Sequence, residues 1–184
     1  MKGIIFTEFL EMVESEFGFA VADEVVAKTA SHSEGVYSGV ESYPHQDLTA
    51  MIGGLSVSVG LEQGDLVRSF GRYLFRSFAK NNTMFFEGIS DAFVFLKGIE
   101  TVIHTEVRKL YDDAKPPEFE CYEDGDRSLV LNYHSNRPFA DLAEGLILEC
   151  LEYFEDTAIL SRFAGPTGDH CSARFVLERS KTVP

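Results

Sequence analysis

The sequence predicts an α+β fold, in which a helical N-terminal part precedes an antiparallel β-sheet with one inserted helix. Apolar residues recur at helical intervals through roughly the first 110 residues. After Pro116-Pro117 the pattern changes to alternation between apolar and polar residues, and residues 138–155 then return to helical spacing. A run of helices followed by strands with a single helical interruption is typical of an α+β domain.

The predicted helices of the N-terminal part follow the spacing of their apolar residues. The first covers residues 2–17, with Ile5, Phe9 and Met12 on one face, and Gly18 ends it. The longest covers residues 92–111, and Pro116-Pro117 prevents its continuation because proline lacks a backbone N–H. The remaining predictions are helices at 21–29, 46–60 and 63–80, a loop at 30–45 and a short helix or turn at 83–91.

The predicted strands form two pairs. Phe119 and Cys121 alternate with polar neighbours before the turn at residues 123–126, and Leu129, Leu131 and Tyr133 alternate after it, which indicates a β-hairpin. Residues 157–163 and 171–178 form a second predicted pair, joined by the turn-rich segment 165–169. The inserted helix, 138–155, lies between the two pairs.

Composition and charge exclude several classes of protein. The chain has 184 residues, 45% of them apolar, which suits one globular domain with a substantial core. Its formal charge of -14 would repel nucleic acid and anionic membranes. No apolar run reaches the ~18 residues that a membrane span needs, and glutamates interrupt the apolar N-terminus, so we expect a cytoplasmic protein. Three widely spaced cysteines, Cys121, Cys150 and Cys171, indicate reduced thiols.

The segment Tyr133-His134-Ser135-Asn136-Arg137 is the most informative motif. In an extended chain, its phenol, hydroxyl and guanidinium point to one face. Such a row of donors, ending in a permanent cation, suits one or two carboxylates on a flat ligand. Taken alone, alternating polar residues of this kind are usually the solvated face of a strand.

His104 lies on the predicted helix 92–111, near the edge of its apolar face. Spacing alone favours a histidine with a structural hydrogen bond over a ligand. A neutral imidazole is nevertheless a good haem ligand, and a porphyrin needs both an axial imidazole and donors for its propionates.

These motifs together resemble the haem nitric oxide/oxygen binding family (H-NOX), the sensor fold shared with the haem domain of soluble guanylate cyclase. The resemblance covers essentially the whole chain. It rests on the following segments in this order: Met1-Lys2-Gly3-Ile4-Ile5, Val102-Ile103-His104-x-x-Val107, Pro116-Pro117, Tyr133-x-Ser135-x-Arg137 and Gly145-Leu146-Ile147.

The resemblance implies that haem b is buried between a distal helical subdomain, approximately residues 1–60, and a proximal subdomain, residues 61–184. It implies that His104 is the iron ligand and that the Tyr-Ser-Arg motif holds the propionates. The apolar residues implied to pack against the porphyrin are Pro117, Ile5 and Leu146.

The distal positions decide which gas is bound. Family members that bind oxygen stably use a tyrosine and further polar groups there, whereas the matching residues here are Leu142, Phe9 and Leu74, with Phe78 nearby. None of these can donate a hydrogen bond to oxygen, which carries partial negative charge when bound. The resemblance therefore implies a sensor of NO, and also CO, that binds oxygen poorly.

Zinc is not expected, although some bacterial relatives carry it. Cys171 falls at one position of that site, but Ala140, Leu160 and Phe163 replace the upstream ligands, and His170 is interpreted as an ordinary residue.

The resemblance implies a sensor and not an enzyme. NO binding would weaken the iron bond to His104 and release it. Since no effector domain follows, we expect the signal to pass to a histidine kinase or a diguanylate cyclase/phosphodiesterase. One alternative is a non-haem module that binds an apolar small molecule, and another is a hydrolase that pairs His104 or His170 with a carboxylate.

Overall fold

The computed structural model describes residues 1–29, 35–165, 168 and 170–180. Four α-helices open the chain, close to their predicted positions. Glycines with positive φ follow two of them, Gly18 (φ 88°) and Gly60 (φ 70°), where residues with a side chain would be strained. The four helices are α1 (Gly3–Phe17), α2 (Phe19–Thr29), α3 (His45–Val59) and α4 (Gln63–Asn81). Residues 30–34 of the predicted loop, and 166, 167 and 169 of the predicted turn, lie outside the described residues.

These helices bury their apolar faces in an N-terminal core. Phe9 of α1 meets Phe70 of α4 edge to face, with ring centroids 5.2 Å apart, and Leu48 and Met51 of α3 are fully buried beside them. Burial of one such side chain stabilises the fold by about 1.5–3 kcal/mol. The first half of α4 packs in this core and its second half packs in the C-terminal core, so α4 contributes to both.

The prediction of one continuous α-helix over residues 92–111 is wrong. The segment consists of α5 (Ala92–Gly98), a π-helical segment (Ile99–Ile103) and α6 (His104–Leu110). The longest α-helix is instead α4, with 19 residues. A π-helical turn widens the helix by one residue and is frequent at functional sites. Here it immediately precedes His104.

Four antiparallel strands form a single sheet. They are β1 (Glu118–Glu123), β2 (Ser128–His134), β3 (Ile159–Ala164) and β4 (Ser172–Glu178). Their order is β1-β2-β4-β3, so both predicted hairpins are present and β4 joins them by pairing with β2. Because β2 ends at His134, Ser135 and Arg137 follow the strand and do not belong to it, which corrects the extended geometry expected for this motif.

Helix α7 (Ala140–Tyr153) covers the sheet and completes a second core. The inward side chains of β2 and β4 include Leu129, Leu131 and Phe175, all fully buried. Together with α5 they close the C-terminal half around an apolar interior.

Helices α4 and α7 cross at two glycines. A Cβ atom on Gly71 would lie 2.3 Å from the Leu142 carbonyl oxygen, and one on Gly145 would lie 2.0 Å from the Arg68 carbonyl oxygen. Neither position can accept a side chain unless the helices separate. The close crossing holds Leu74 and Leu142 where both contribute to the same internal cavity.

Candidate functional site

A largely apolar cavity of about 340 Å³ lies where the two cores meet. One part of its lining comes from α1, α4 and α7, and the other from α5, the π-helical segment, α6, the segment before β1 and the end of β2. A volume of this order suits a small-molecule or cofactor site. The cavity brings together ten of the eleven residues predicted from sequence, namely His104, Pro117, Tyr133, Ser135, Arg137, Ile5, Leu146, Leu74, Phe78 and Leu142.

The side chain of His104 lines the cavity and is only 13% exposed. Its Nδ1 lies 2.9 Å from Glu100 Oε2, which leaves Nε2 as the ring nitrogen available to a ligand. Burial lowers the pKa of His104, outweighing the opposite effect of Glu100, and therefore favours the neutral imidazole. A neutral, rigidly held imidazole is the form that binds metals.

Glu100 is a neighbour of His104 that the sequence interpretation missed. Burial opposes its ionisation, but hydrogen bonds from His104 and Arg108 outweigh burial and hold its pKa below the ordinary value. Glu100 is thus an ionised acceptor for an Nδ1–H donor on His104. The i, i+4 spacing of the two residues on one helix was the signal that could have identified this pair.

Tyr133 and Ser135 are both buried at the cavity, where their side chains are neighbours. Burial raises the pKa of the Tyr133 phenol, so it is a neutral donor at physiological pH. The Ser135 amide donates to the Cys171 carbonyl oxygen (2.8 Å), which continues the β2–β4 pairing one step beyond the strands and fixes the backbone of the motif.

Arg137 is a half-buried cation at the same cavity. Its Nη1 donates to the Lys115 carbonyl oxygen at 2.9 Å, and its backbone N–H donates to Ser135 Oγ at 3.2 Å. Burial lowers its pKa, although a guanidinium remains charged. Among the ion pairs of the described residues, none involves Arg137. A guanidinium of this kind is suited to bind a carboxylate group of a ligand.

The cavity wall contributed by α1, α4 and α7 is uniformly apolar. Its residues are Ile5, Leu74, Phe75, Phe78, Leu142, Ala143, Leu146 and Ile147. Phe9 does not line the cavity: it is fully buried one turn further along α1, in the N-terminal core. Only the first turn of α1 reaches the cavity. The i, i+4 spacing of Ile5 and Phe9 places both on one face of the helix, but it does not show that both line the cavity.

The rim of the cavity carries charge. Lys2 pairs with Asp113 at 2.5 Å, and Ser42 Oγ donates to the same carboxylate at 2.6 Å. The adjacent residues Pro116 and Pro117 line the cavity without backbone N–H groups that would need partners. Phe139, which precedes α7, also lines the cavity and was not predicted.

His170 lies apart from this cavity. Its Nδ1 is 3.2 Å from Asp141 Oδ2 and 3.3 Å from Arg162 Nη2. Across the described parts of the chain, no three potential metal ligands of the His, Cys, Asp or Glu type form a group. The helices in those parts include none long and apolar enough to cross a membrane.

The fold and the site together define an α+β domain with an internal, mostly apolar binding cavity that carries one imidazole and a cluster of carboxylate-binding donors. A sequence profile described as "Haem-NO-binding" matches residues 2–161. The chain therefore belongs to the haem-NO-binding (H-NOX) family and is a haem-based gas-sensing domain.

Solved structures agree with this assignment. A mutant H-NOX protein from K. algicida, in the unliganded Fe(II) state, is 30% identical with a TM-score of 0.91, over 100% of this chain and 98% of that one. The H-NOX from Shewanella woodyi, in the Fe(II)CO state with IWP-051 bound, is 35% identical with a TM-score of 0.83, over 100% and 97%. An H-NOX protein from S. oneidensis in the Fe(II)NO state is 27% identical with a TM-score of 0.89, over 98% and 100%. Among curated proteins, none matches this chain.

Proposed function

We propose that the chain binds haem b through His104 and senses nitric oxide. The observation that carries this proposal is the meeting, in one cavity, of a neutral imidazole with the donor cluster Tyr133, Ser135 and Arg137. The donor set fits haem, because a porphyrin combines an iron ion, an apolar ring and carboxylates. When bound, haem supplies an iron coordination position for a gas.

His104 is the proposed iron ligand. Its Nδ1 is engaged by Glu100, so Nε2 is free to coordinate. The residue opens α6, and the helix holds the imidazole in a fixed orientation. Since burial favours the neutral ring, coordination requires no proton loss from a charged imidazole.

Tyr133, Ser135 and Arg137 are the proposed propionate-binding residues. The absence of an ion pair for Arg137 among the described residues supports this role, because a propionate would supply the missing negative charge. Charge-assisted hydrogen bonds of this kind contribute about 1.5–3 kcal/mol each. The Lys115 carbonyl oxygen fixes the orientation of the guanidinium at the cavity.

Pro117, Ile5 and Leu146 are proposed to pack against the porphyrin. All three line the cavity. Pro117 belongs to a rigid Pro-Pro step next to Lys115, whose carbonyl is bonded to Arg137. Contact with this step would press on one side of the ring while Ile5 and Leu146 confine it elsewhere.

The apolar wall of the cavity is proposed to select nitric oxide, and also CO, over oxygen. Bound oxygen gains much from a hydrogen-bond donor because it carries partial negative charge, whereas bound nitric oxide needs one far less. Leu74, Phe78 and Leu142 offer no donor. Phe9, behind this wall, contributes to its apolar character without bordering the cavity.

The signal is proposed to start with release of His104 when NO binds. The π-helical segment that precedes His104 packs on β1, and the His104 ring lies 6.0 Å from the Phe119 ring of that strand. We therefore propose that a change at His104 is transmitted to both α6 and β1, because signalling requires an element whose two states a ligand can bias. From the family resemblance, the receiver is a histidine kinase or a diguanylate cyclase/phosphodiesterase.

The competing proposal is a non-haem sensor of an apolar small molecule, which the apolar lining would also accommodate. An apolar ligand would, however, supply no negative charge to the Arg137 guanidinium, which lines the cavity beside Tyr133 and Ser135. This polar cluster favours haem over a purely apolar ligand.

One experiment separates these proposals. The protein is purified, reduced under argon, and its absorption spectrum is recorded before and after NO and then, on a separate sample, after air. We expect a five-coordinate ferrous haem that changes on NO addition and forms no lasting oxygen complex. A colourless protein without haem in the pyridine assay would overturn haem binding, and a stable oxygen complex would overturn the selectivity.

A further inference from the structure

Glu100 connects His104 to two neighbouring elements. Its Oε2 lies 2.9 Å from His104 Nδ1 and 3.4 Å from the Phe119 backbone nitrogen of β1. Its Oε1 accepts from Arg108 Nη2 of α6 at 2.7 Å. The side chain is about one-third exposed, so the carboxylate lies at the boundary between the cavity wall and solvent.

The π-helical segment gives this pair its local setting. Glu100 is its second residue, and the Thr105 hydroxyl donates to the Glu100 carbonyl oxygen at 3.3 Å, five residues along the chain. Both the backbone and the side chain of Glu100 are therefore tied to the first turn of α6. This double attachment fixes the carboxylate next to the imidazole. The contact between Glu100 and His104 is therefore part of the local fold and not an accidental contact at the surface.

A carboxylate at Nδ1 has a defined chemical effect on a histidine that coordinates a metal through Nε2. The neutral ring must then carry its proton on Nδ1, and this N–H donates to the carboxylate. Such a bond fixes the tautomer, orients the ring and increases the electron density at Nε2, which strengthens the metal bond. Arg108 acts in the opposite direction because it draws negative charge toward Oε1.

We propose that Glu100 is a positioning residue that sets the strength of the iron–His104 bond, and thereby how readily NO releases His104. Arg108 moderates this effect by sharing the carboxylate. This inference rests on the proposed role of His104 as the iron ligand. It assigns the sensitivity of the sensor to a residue that does not line the cavity.

The test compares Glu100→Gln, Glu100→Ala and Arg108→Ala in the haem-loaded protein. Glu106→Gln is the matched control, because Glu106 lies on α6, as His104 and Arg108 do, but pairs with Lys109. The readouts are the iron–histidine stretching frequency of the reduced protein, measured by resonance Raman spectroscopy, and the midpoint potential. Neither is moved by a purely structural role that leaves haem coordination intact.

We expect the stretching frequency to fall in the order wild type, Glu100→Gln, Glu100→Ala, because the amide keeps an acceptor without charge and alanine removes it. The midpoint potential should rise in the same order, since a weaker donor stabilises the ferrous state. Haem loss from Glu100→Ala should be on the order of 10-fold faster. Arg108→Ala should shift the frequency in the opposite direction, to above the wild-type value.

Unchanged frequencies and potentials in all three variants would overturn the role of Glu100 while leaving haem binding by His104 intact. Failure of the wild-type protein to show an iron–histidine stretch would instead overturn the proposed function itself. If the Glu100→Ala protein does not fold, the other two variants still test the role of Glu100. The stretching frequency should lie below the wild-type value in Glu100→Gln and above it in Arg108→Ala.

Discussion

Arg137 and Lys115 are joined by a hydrogen bond of 2.9 Å from the guanidinium to the backbone carbonyl oxygen. The bond links the segment that follows β2 to the segment that carries Pro116 and Pro117. Two parts of the chain that border the cavity are thereby held in a fixed relation. The remaining donors of the guanidinium are available to a ligand carboxylate.

Replacing Arg137 by alanine should weaken haem binding by about 10- to 100-fold, the loss of one charge-assisted interaction of about 1.5–3 kcal/mol. Arg137→Lys should weaken haem binding less than Arg137→Ala does, because lysine keeps the positive charge but lacks the planar guanidinium that binds a carboxylate through two N–H groups. The measurement is the rate of haem transfer to an excess of apomyoglobin. Arg174→Ala, at an exposed position of β4, is the control. Equal transfer rates for the Arg137→Ala and Arg174→Ala proteins would contradict propionate binding by Arg137.

Introducing a donor into the apolar wall should change the gas that is bound. Leu142→Tyr places a phenol on α7 at the cavity and should give an oxygen complex that persists in air long enough for a spectrum. Leu142→Phe adds similar bulk without the hydroxyl and should oxidise without a detectable oxygen complex. If the two variants behave alike, Leu142 does not face the gas-binding side of the haem.

The crossing of α4 and α7 should not tolerate a methyl group at Gly71. Gly71→Ala would place Cβ 2.3 Å from the Leu142 carbonyl oxygen, so overpacking should destabilise the protein by about 1–3 kcal/mol. Gly53→Ala is the matched control, since its Cβ would meet nothing closer than Gln63 Nε2 at 3.8 Å, and helix propensity predicts up to about 1 kcal/mol of stabilisation. Urea unfolding midpoints of the haem-loaded proteins measure both. A Gly71→Ala protein as stable as wild type would show that the helices separate at little cost.

Metal analysis of the purified protein should find iron in proportion to haem and no stoichiometric zinc. Among the described residues, no three candidate ligands form a group, and His170 Nδ1 is already in contact with Asp141 and Arg162. Mass spectrometry of the metals after dialysis against a chelating resin provides the test. One zinc per chain, lost on Cys171→Ser substitution, would refute the expectation.

The helices were predictable because the apolar spacing of α1 and α4 is long and regular. The π-helical segment was not predictable, because the apolar residues before, within and after it keep a regular helical spacing: Leu96, Ile99, Ile103 and Val107. Helical spacing does not distinguish an i→i+5 turn within a helix from a regular one. The continuous helix predicted over residues 92–111 was wrong for this reason.

The site was predictable in chemistry but less so in geometry. The pattern of Tyr133, Ser135 and Arg137 indicated a carboxylate-binding cluster, although β2 ends at His134 and only Tyr133 belongs to the strand. The contacts of Lys115 and Phe119 with this site join residues far apart in sequence, and only tertiary structure specifies them. Phe9 lies one helical turn after Ile5 on the same face of α1 but packs in the N-terminal core. The direction of α1 decides which turn reaches the cavity, and the sequence does not specify that direction.

Coordination of haem iron by His104 is the claim on which the other proposals depend. The most direct measurement is the absorption spectrum of reduced His104→Ala protein, recorded without and then with added imidazole. We expect loss of the five-coordinate ferrous spectrum in the variant and its recovery when free imidazole occupies the vacated position. A His104→Ala protein that keeps the wild-type spectrum without imidazole would show that another residue binds the iron.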